Sequence, residues 1–140
     1  MIFYLDTSFL VTAIVEEAAS EAVWKWLDDN RHSELFVSDW VVTEFSSALS
    51  VKVRTGQLSA GGRLLAARMF SRLQRASLDF IPVESRHFSA AANLCANPST
   101  GLRGGDALHL SLAGDVGSIV TRDRILAQAA FGAGIDAILL

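Results

Sequence analysis

Apolar residues in this chain fall in short blocks whose spacing switches repeatedly between strand-like and helix-like periods. Ile2-Phe3-Tyr4-Leu5, Leu35-Phe36-Val37, Leu78 with Phe80, Ile81 and Val83, Ser118-Ile119-Val120-Thr121 and the stretch 135–139 are runs of strand length. Such near-continuous runs mark strands covered on both faces. The pattern predicts strands at residues 2–5, 34–38, 78–83, 118–121 and 135–139. It predicts helices at 7–15, 20–29, 39–54, 59–75, 85–96, 104–114 and 123–131, with Gly56 and Ser59 marking a break and a restart. Asn97-Pro98-Ser99-Thr100-Gly101 is a breaker run. Strands alternating with helices imply an α/β fold whose mostly parallel sheet is covered on both sides. With no internal repeat, linker or low-complexity segment, residues 1–140 read as one domain.

In an open parallel sheet, chemistry gathers outside the carboxyl ends of the strands. Asp6 closes the first apolar run and Asp123 follows the fourth, while Asp106 opens the helix Asp106-Ala107-Leu108-His109-Leu110. All three also suit the ordinary role of a helix cap or first-turn acid. Glu44 does not, because it lies within a helix, at the edge of the apolar stripe Val41, Phe45, Ala48 and Leu49. A half-buried glutamate needs a partner, and helical side chains lean toward the N-terminus, which aims Glu44 back at the strand edge. Asp39, directly after Ser38, is expected to be the cap of that helix. Asp106 aims inward, since Leu110 and Ala113 follow it on one face.

Four carboxylates brought together raise one another's pKa values unless a cation neutralises them. Oxygen-only ligands suit Mg²⁺, with Mn²⁺ as a substitute and water completing an octahedron. Zinc is disfavoured, because His32, His87 and His109 lack ligand spacing and Cys95 is the single cysteine. His109, at i+3 from Asp106, is a candidate to orient that carboxylate, but is read first as a packed helix residue with one hydrogen bond.

A chain of 140 residues with 51% hydrophobic and 19% charged residues is a compact globule, not a disordered segment. Its longest apolar run, near Phe9 to Val15, falls far below the ~20 residues of a membrane span. No secretory signal is expected, since Asp6 interrupts the first apolar stretch and no basic segment precedes it. One cysteine suits a reducing cytoplasm.

The pattern Asp6-Thr7-Ser8 after the first strand, Glu44 in the third helix, Asp106-Ala107-Leu108-His109 and Thr121-Arg122-Asp123 resembles the PIN-domain ribonucleases, specifically the VapC-type toxins of toxin–antitoxin pairs. The resemblance spans essentially the whole chain. It implies a three-layer α/β/α sandwich with a central, mostly parallel sheet of about five strands. It implies a catalytic quartet of Asp6, Glu44, Asp106 and Asp123, with Asp6, Asp106 and Asp123 as metal ligands and Ser8 and Thr121 as supporting hydroxyls. It further implies Mg²⁺-dependent RNA cleavage by activated water, a VapB-type antitoxin partner and a homodimer. Ser8 is not expected to act as a covalent nucleophile, having no histidine base beside it in sequence. A haloacid-dehalogenase-like phosphatase would need a second acid where Ser8 stands, and a receiver domain would need a lysine where residues 118–126 offer only arginines. The remaining alternative is a non-catalytic interaction module on the same fold.

The net charge of -3 does not favour nucleic acid, but its distribution is uneven. Lys52, Arg54, Arg63, Arg68, Arg72 and Arg75 occupy a stretch, Phe45 to Leu78, that holds no Asp or Glu. Such a stripe suits a phosphate backbone, an acidic partner segment or plain solvation. On the helix from Ser59 to Arg75, Leu65, Met69 and Leu73 are expected to pack while Arg68, Arg72 and Arg75 face RNA or a partner. Arg103 and Arg122 flank the acids and are candidates for the scissile phosphate. Trp24 and Trp26 fall on different helix faces, so at least one of them is expected at the surface or an interface.

Overall fold

A computed structural model of the chain describes residues 1–15 and 17–140. The strands β1 (Ile2–Leu5), β2 (Glu34–Ser38), β3 (Asp79–Ile81), β4 (Ser118–Thr121) and β5 (Asp136–Leu139) form one sheet in the order β3-β2-β1-β4-β5. Every pairing is parallel: Tyr4 stands opposite both Phe36 and Ile119, Val37 opposite Phe80, and Ile119 opposite Ala137. Parallel neighbours need crossovers, and the helices supply them. These are α1 (Thr7–Ile14), α2 (Ser20–Asp29), α3 (Asp39–Arg54), α4 (Ala60–Ser77), α5 (Ser85–Cys95), α6 (Gly104–Ala113) and α7 (Arg124–Gly132), with a short 3-10 turn at Pro98–Thr100. Helix α1 packs against α2, α3 and α4, and α6 against α5 and α7, which gives the α/β/α layering.

Burial follows strand position. Phe3, Tyr4 and Leu5 of β1 and Ile119, Val120 and Thr121 of β4 are buried, which is why these central strands show no polar alternation. The edge strands leave Phe80 and Leu139 exposed. Strand β3 is shorter than the stretch 78–83, because Pro82 has no N–H to continue a ladder.

The chain runs outward from β1 through β2 to β3, then returns to place β4 on the other side of β1. The gap between the carboxyl ends of β1 and β4 is therefore the topological switch point. The Asp6 backbone N–H spans it, donating to the Val120 carbonyl at 3.3 Å.

Two local expectations are corrected. Ser38, not Asp39, occupies the N-cap position of α3, and Asp39 is its first helical residue. On α4 the buried positions are Ala66 and Phe70, with Leu73 partly buried, whereas Leu65 and Met69 are 60% and 39% exposed. Phe70 stacks 4.3 Å from Phe45, and that contact turns the helix one position away from the Leu65 stripe. The turn at residues 97–101 is itself ordered, with Asn97 capping it through Ser99 N. The tryptophans of α2 separate as expected: Trp26 is held edge-on by Phe3 and Phe9, and Trp24 is half exposed. Beyond the C-terminal end of α6, Asp115 accepts from both terminal guanidinium nitrogens of Arg86 at 2.8 and 2.6 Å and contacts His87 Nε2 at 2.9 Å. The Arg86 guanidinium draws the Asp115 pKa down to about 2, and the cluster ties α5 to the approach to β4.

Candidate active site

Asp6 sits where β1 hands over to α1, and its side chain is 3% exposed. It caps α1 by accepting from Phe9 N at 3.1 Å. The Ser8 hydroxyl is shared between its two oxygens at 2.8 and 2.9 Å, and the Thr121 hydroxyl donates to Oδ2 at 2.8 Å. Those hydroxyls are themselves fixed, since Ser8 Oγ accepts from Arg122 N and Thr121 Oγ1 from Asp123 N, both at 2.9 Å. Ser8 and Thr121 thus clamp the end of β1 to the loop after β4. Burial pushes the Asp6 pKa above the ordinary carboxylate range, outweighing the pull of His109 and these hydrogen bonds. Asp123 caps α7 with one oxygen, Oδ1, which accepts from Ile125 N at 2.7 Å and Leu126 N at 3.2 Å. Its Oδ2 accepts no hydrogen bond among the described residues.

Glu44 is held on one side. Its Oε2 accepts from Thr7 Oγ1 at 2.7 Å and makes a very short contact with His109 Nε2. The other ring nitrogen, Nδ1, meets the Tyr4 hydroxyl at 2.9 Å, and Tyr4 in turn meets Ser38 Oγ at 2.9 Å. Every group is satisfied when His109 donates from Nε2 to Glu44 and accepts from Tyr4 at Nδ1. Burial pushes the Glu44 pKa up, but the hydrogen bonds from His109 and Thr7 together hold it below its ordinary value. Tyr4 is driven the other way by burial and keeps its proton. His109 therefore does more than the single packing bond expected of it, and its partner is Glu44, not its own-helix neighbour Asp106.

Asp106 occupies the third position of α6. Burial and then the charge of Asp123 raise its pKa, against the pull of the Arg103 backbone amide. Gly105 beside it has a packing reason: a Cβ there would lie 2.9 Å from Glu44 Oε1 and 3.2 Å from Trp40 Cζ2. A side chain at this position would require Glu44 or Trp40 to shift.

Asp6, Glu44, Asp106 and Asp123 line one cavity of about 300 Å³, together with Thr7, Ser8 and His109. A neighbouring concavity of about 540 Å³ shares Glu44, Asp106 and Asp123 and continues past Trp40, Arg103 and Ile125. Arg68, Arg72 and Arg75 lie elsewhere, around a hollow on α4 with Leu64. Arg122 contributes its backbone N–H, while its charge acts on Glu17. Of the five candidate arginines, Arg103 alone lines either cavity. Among the described residues no three His, Cys, Asp or Glu side chains form a ready-made metal cage. The acids stand instead around the wall of a space.

The profile of the PIN domain family matches residues 3–132. A ribonuclease VapC35 of Mycobacterium tuberculosis is 31% identical over 133 residues, covering 91% of this chain and 88% of its own length. The VapBC2 structure from Rickettsia felis, bound to a DNA fragment from its promoter, superposes with a TM-score of 0.71 at 17% identity, over 99% of this chain and 98% of that one. The structure of Mycobacterium tuberculosis VapC20, a sarcin-ricin loop cleaving toxin, superposes with a TM-score of 0.69 at 17% identity, over 91% and 94% of the two chains. The structural likenesses carry the fold; the profile and the 31% identity carry descent. By both, this chain belongs to the PIN-domain family and groups there with the VapC ribonucleases.

Proposed function

We propose that this chain is a metal-dependent endoribonuclease, acting as the toxin of a type II toxin–antitoxin pair. The observation that carries the reading is the gathering of four carboxylates around one cavity at the switch point of a parallel sheet. The ribonuclease relative and the VapC and VapBC structures support it.

The donor set fits a hard divalent cation. Asp106 and the free oxygen of Asp123 face the cavity, while Asp6 takes three donor hydrogens, from Phe9 N, Ser8 and Thr121, and keeps acceptor capacity for a cation. Few direct carboxylates with water filling the shell is the usual way of holding Mg²⁺, with Mn²⁺ as its substitute. Asp6, Asp106 and Asp123 are the proposed ligands. Such an ion supplies positive charge that favours ionisation of water and offsets charge on the phosphate. Glu44, ionised and pinned through Oε2, is placed to orient the attacking water with Oε1. Arg103 is placed to bind a backbone phosphate at the mouth.

The partners in this reading are RNA, a VapB-type antitoxin and a second copy of the chain, in the cytoplasm. Among the described residues no helix is long and apolar enough to cross a membrane. Leu64, Leu65 and Met69, exposed beside Arg68, Arg72 and Arg75 on α4, offer a surface to the antitoxin or to RNA. Induced expression should arrest growth and create new RNA ends within minutes at a defined sequence or structure, read by sequencing those ends. Co-expression of the cognate antitoxin should suppress both. Unchanged RNA ends would overturn the reading.

His109→Leu removes the donor to Glu44 and the acceptor of Tyr4 while keeping the volume. Glu44 keeps its bond from Thr7 and Tyr4 its contact with Ser38, so losing one partner from each should cost about 1 kcal/mol apiece, seen as a lower thermal midpoint, and kcat should fall. His109→Gln, which restores a donor toward Glu44, should recover much of kcat. Equal kcat for Leu and Gln would remove His109 from the positioning of Glu44.

A further inference from the structure

We infer that the concavity adjoining the acid cavity is a nucleobase subsite, with Trp40 as its stacking platform; this rests on the reading of the chain as a ribonuclease. The two spaces are contiguous, sharing Glu44, Asp106 and Asp123. A base seated in the second therefore belongs to a nucleotide next to the phosphate held in the first. Trp40 and Glu44 are four residues apart on α3, so they share a face, and Glu44 leans back toward the indole.

Packing alone does not account for this tryptophan. Trp26 is gripped by two phenylalanine rings, whereas Trp40 has an indole N–H that is buried without a hydrogen-bond partner among the described residues. A buried indole N–H ordinarily finds an acceptor, and a core role would be served better by phenylalanine or leucine. The neighbouring helix is also shaped around it, because a side chain at Gly105 would strike both the indole and Glu44. The same concavity is lined by Ile125, a large aliphatic residue left 47% exposed, and by Arg103. An aromatic ring, an exposed aliphatic side chain and a cation beside a phosphate site are the elements by which single-stranded RNA is held. The ring takes the base by stacking, and the cation takes the backbone. Stacking accepts any base, so the subsite sets where along the strand the cut falls more than which base is read.

The test pairs variants of the protein with variants of the substrate. A short single-stranded RNA cut by the wild type at a mapped position is compared with versions carrying one abasic nucleotide at each position around the cut. One flanking abasic position should raise KM by about 5- to 150-fold, the range of a lost base stack. Trp40→Leu should raise KM on intact RNA by a similar factor and add little on that abasic RNA, because both remove the same contact. Trp40→Phe should retain most of the affinity. A measurement that does not depend on Trp40→Leu folding is the quenching of tryptophan fluorescence by RNA. Intact RNA should quench the wild type, the abasic RNA should not, and Trp40→Phe should abolish the response. Additive losses, or quenching that persists in Trp40→Phe, would overturn the subsite. A wild type that binds RNA with Trp40 quenching but cuts none would overturn the ribonuclease reading and leave the subsite standing.

Discussion

Asp6→Asn is expected to abolish RNA cleavage, lowering kcat by at least about 100-fold, the lower end of what loss of one transition-state charge contact costs, while the protein stays folded. The amide keeps the shape of the carboxylate, and its oxygen can take the Phe9 N–H that caps α1. The amide nitrogen then faces the Ser8 and Thr121 hydroxyls, which can turn to accept. Stability should move in the opposite direction from activity. Burial raises the Asp6 pKa in the folded chain, so its contribution to stability is present below the unfolded value, near 3.9, and is lost as pH rises through the folded one. Above its raised folded pKa the metal-free wild type carries a buried, ionised carboxylate that the variant lacks. The metal-free variant should therefore melt no lower than the wild type at pH 7, and any advantage should vanish toward pH 4. Full cleavage by the purified, Mg²⁺-saturated variant would remove Asp6 from the chemistry. A large drop in its thermal midpoint would mean that Asp6 serves the fold first.

Removal of divalent cations is the second large effect expected. Cleavage should vanish in EDTA, return with Mg²⁺ or Mn²⁺, and not require zinc, because the facing oxygens belong to carboxylates and hydroxyls. Heat provides an independent readout. Asp106 is raised by burial and by Asp123, and a cation between them relieves that repulsion. Mg²⁺ at 100 times its dissociation constant should stabilise the chain by about 2.7 kcal/mol. That stabilisation should be reduced in Asp106→Asn. Undiminished cleavage in chelator, with no thermal response to Mg²⁺, would point to a metal-free mechanism.

The elements were legible from local spacing because strand and helix periods, caps and breakers act over a few residues. The apolar stretch 78–83 extends past the end of strand β3 because apolar spacing does not register the donor that Pro82 lacks. The placement of Asp6 and Asp123 at strand ends followed from the same local signals, and parallel topology brings such ends together. The face of α4 is ambiguous in sequence, because Leu65, Met69 and Leu73 satisfy a helical stripe as well as Ala66, Phe70 and Leu73 do. The Phe45–Phe70 stack, a contact between two helices, selected the second.

What the sequence by itself determined was the alternation of elements, the parallel sheet and the acids that stand at its carboxyl edge. Tertiary structure alone decided which groups meet there. His109 reaches Glu44 across 65 positions and Tyr4 across 105, and no periodicity reports a pairing at that range. Arg103 lines the acid region while Arg68, Arg72 and Arg75 do not, although in sequence all are equally basic. Gly105 reads in the chain as a loose helix start. In the fold it is the point where α6 closes on Trp40 and Glu44, because a missing Cβ acquires meaning only from the atoms that occupy its place.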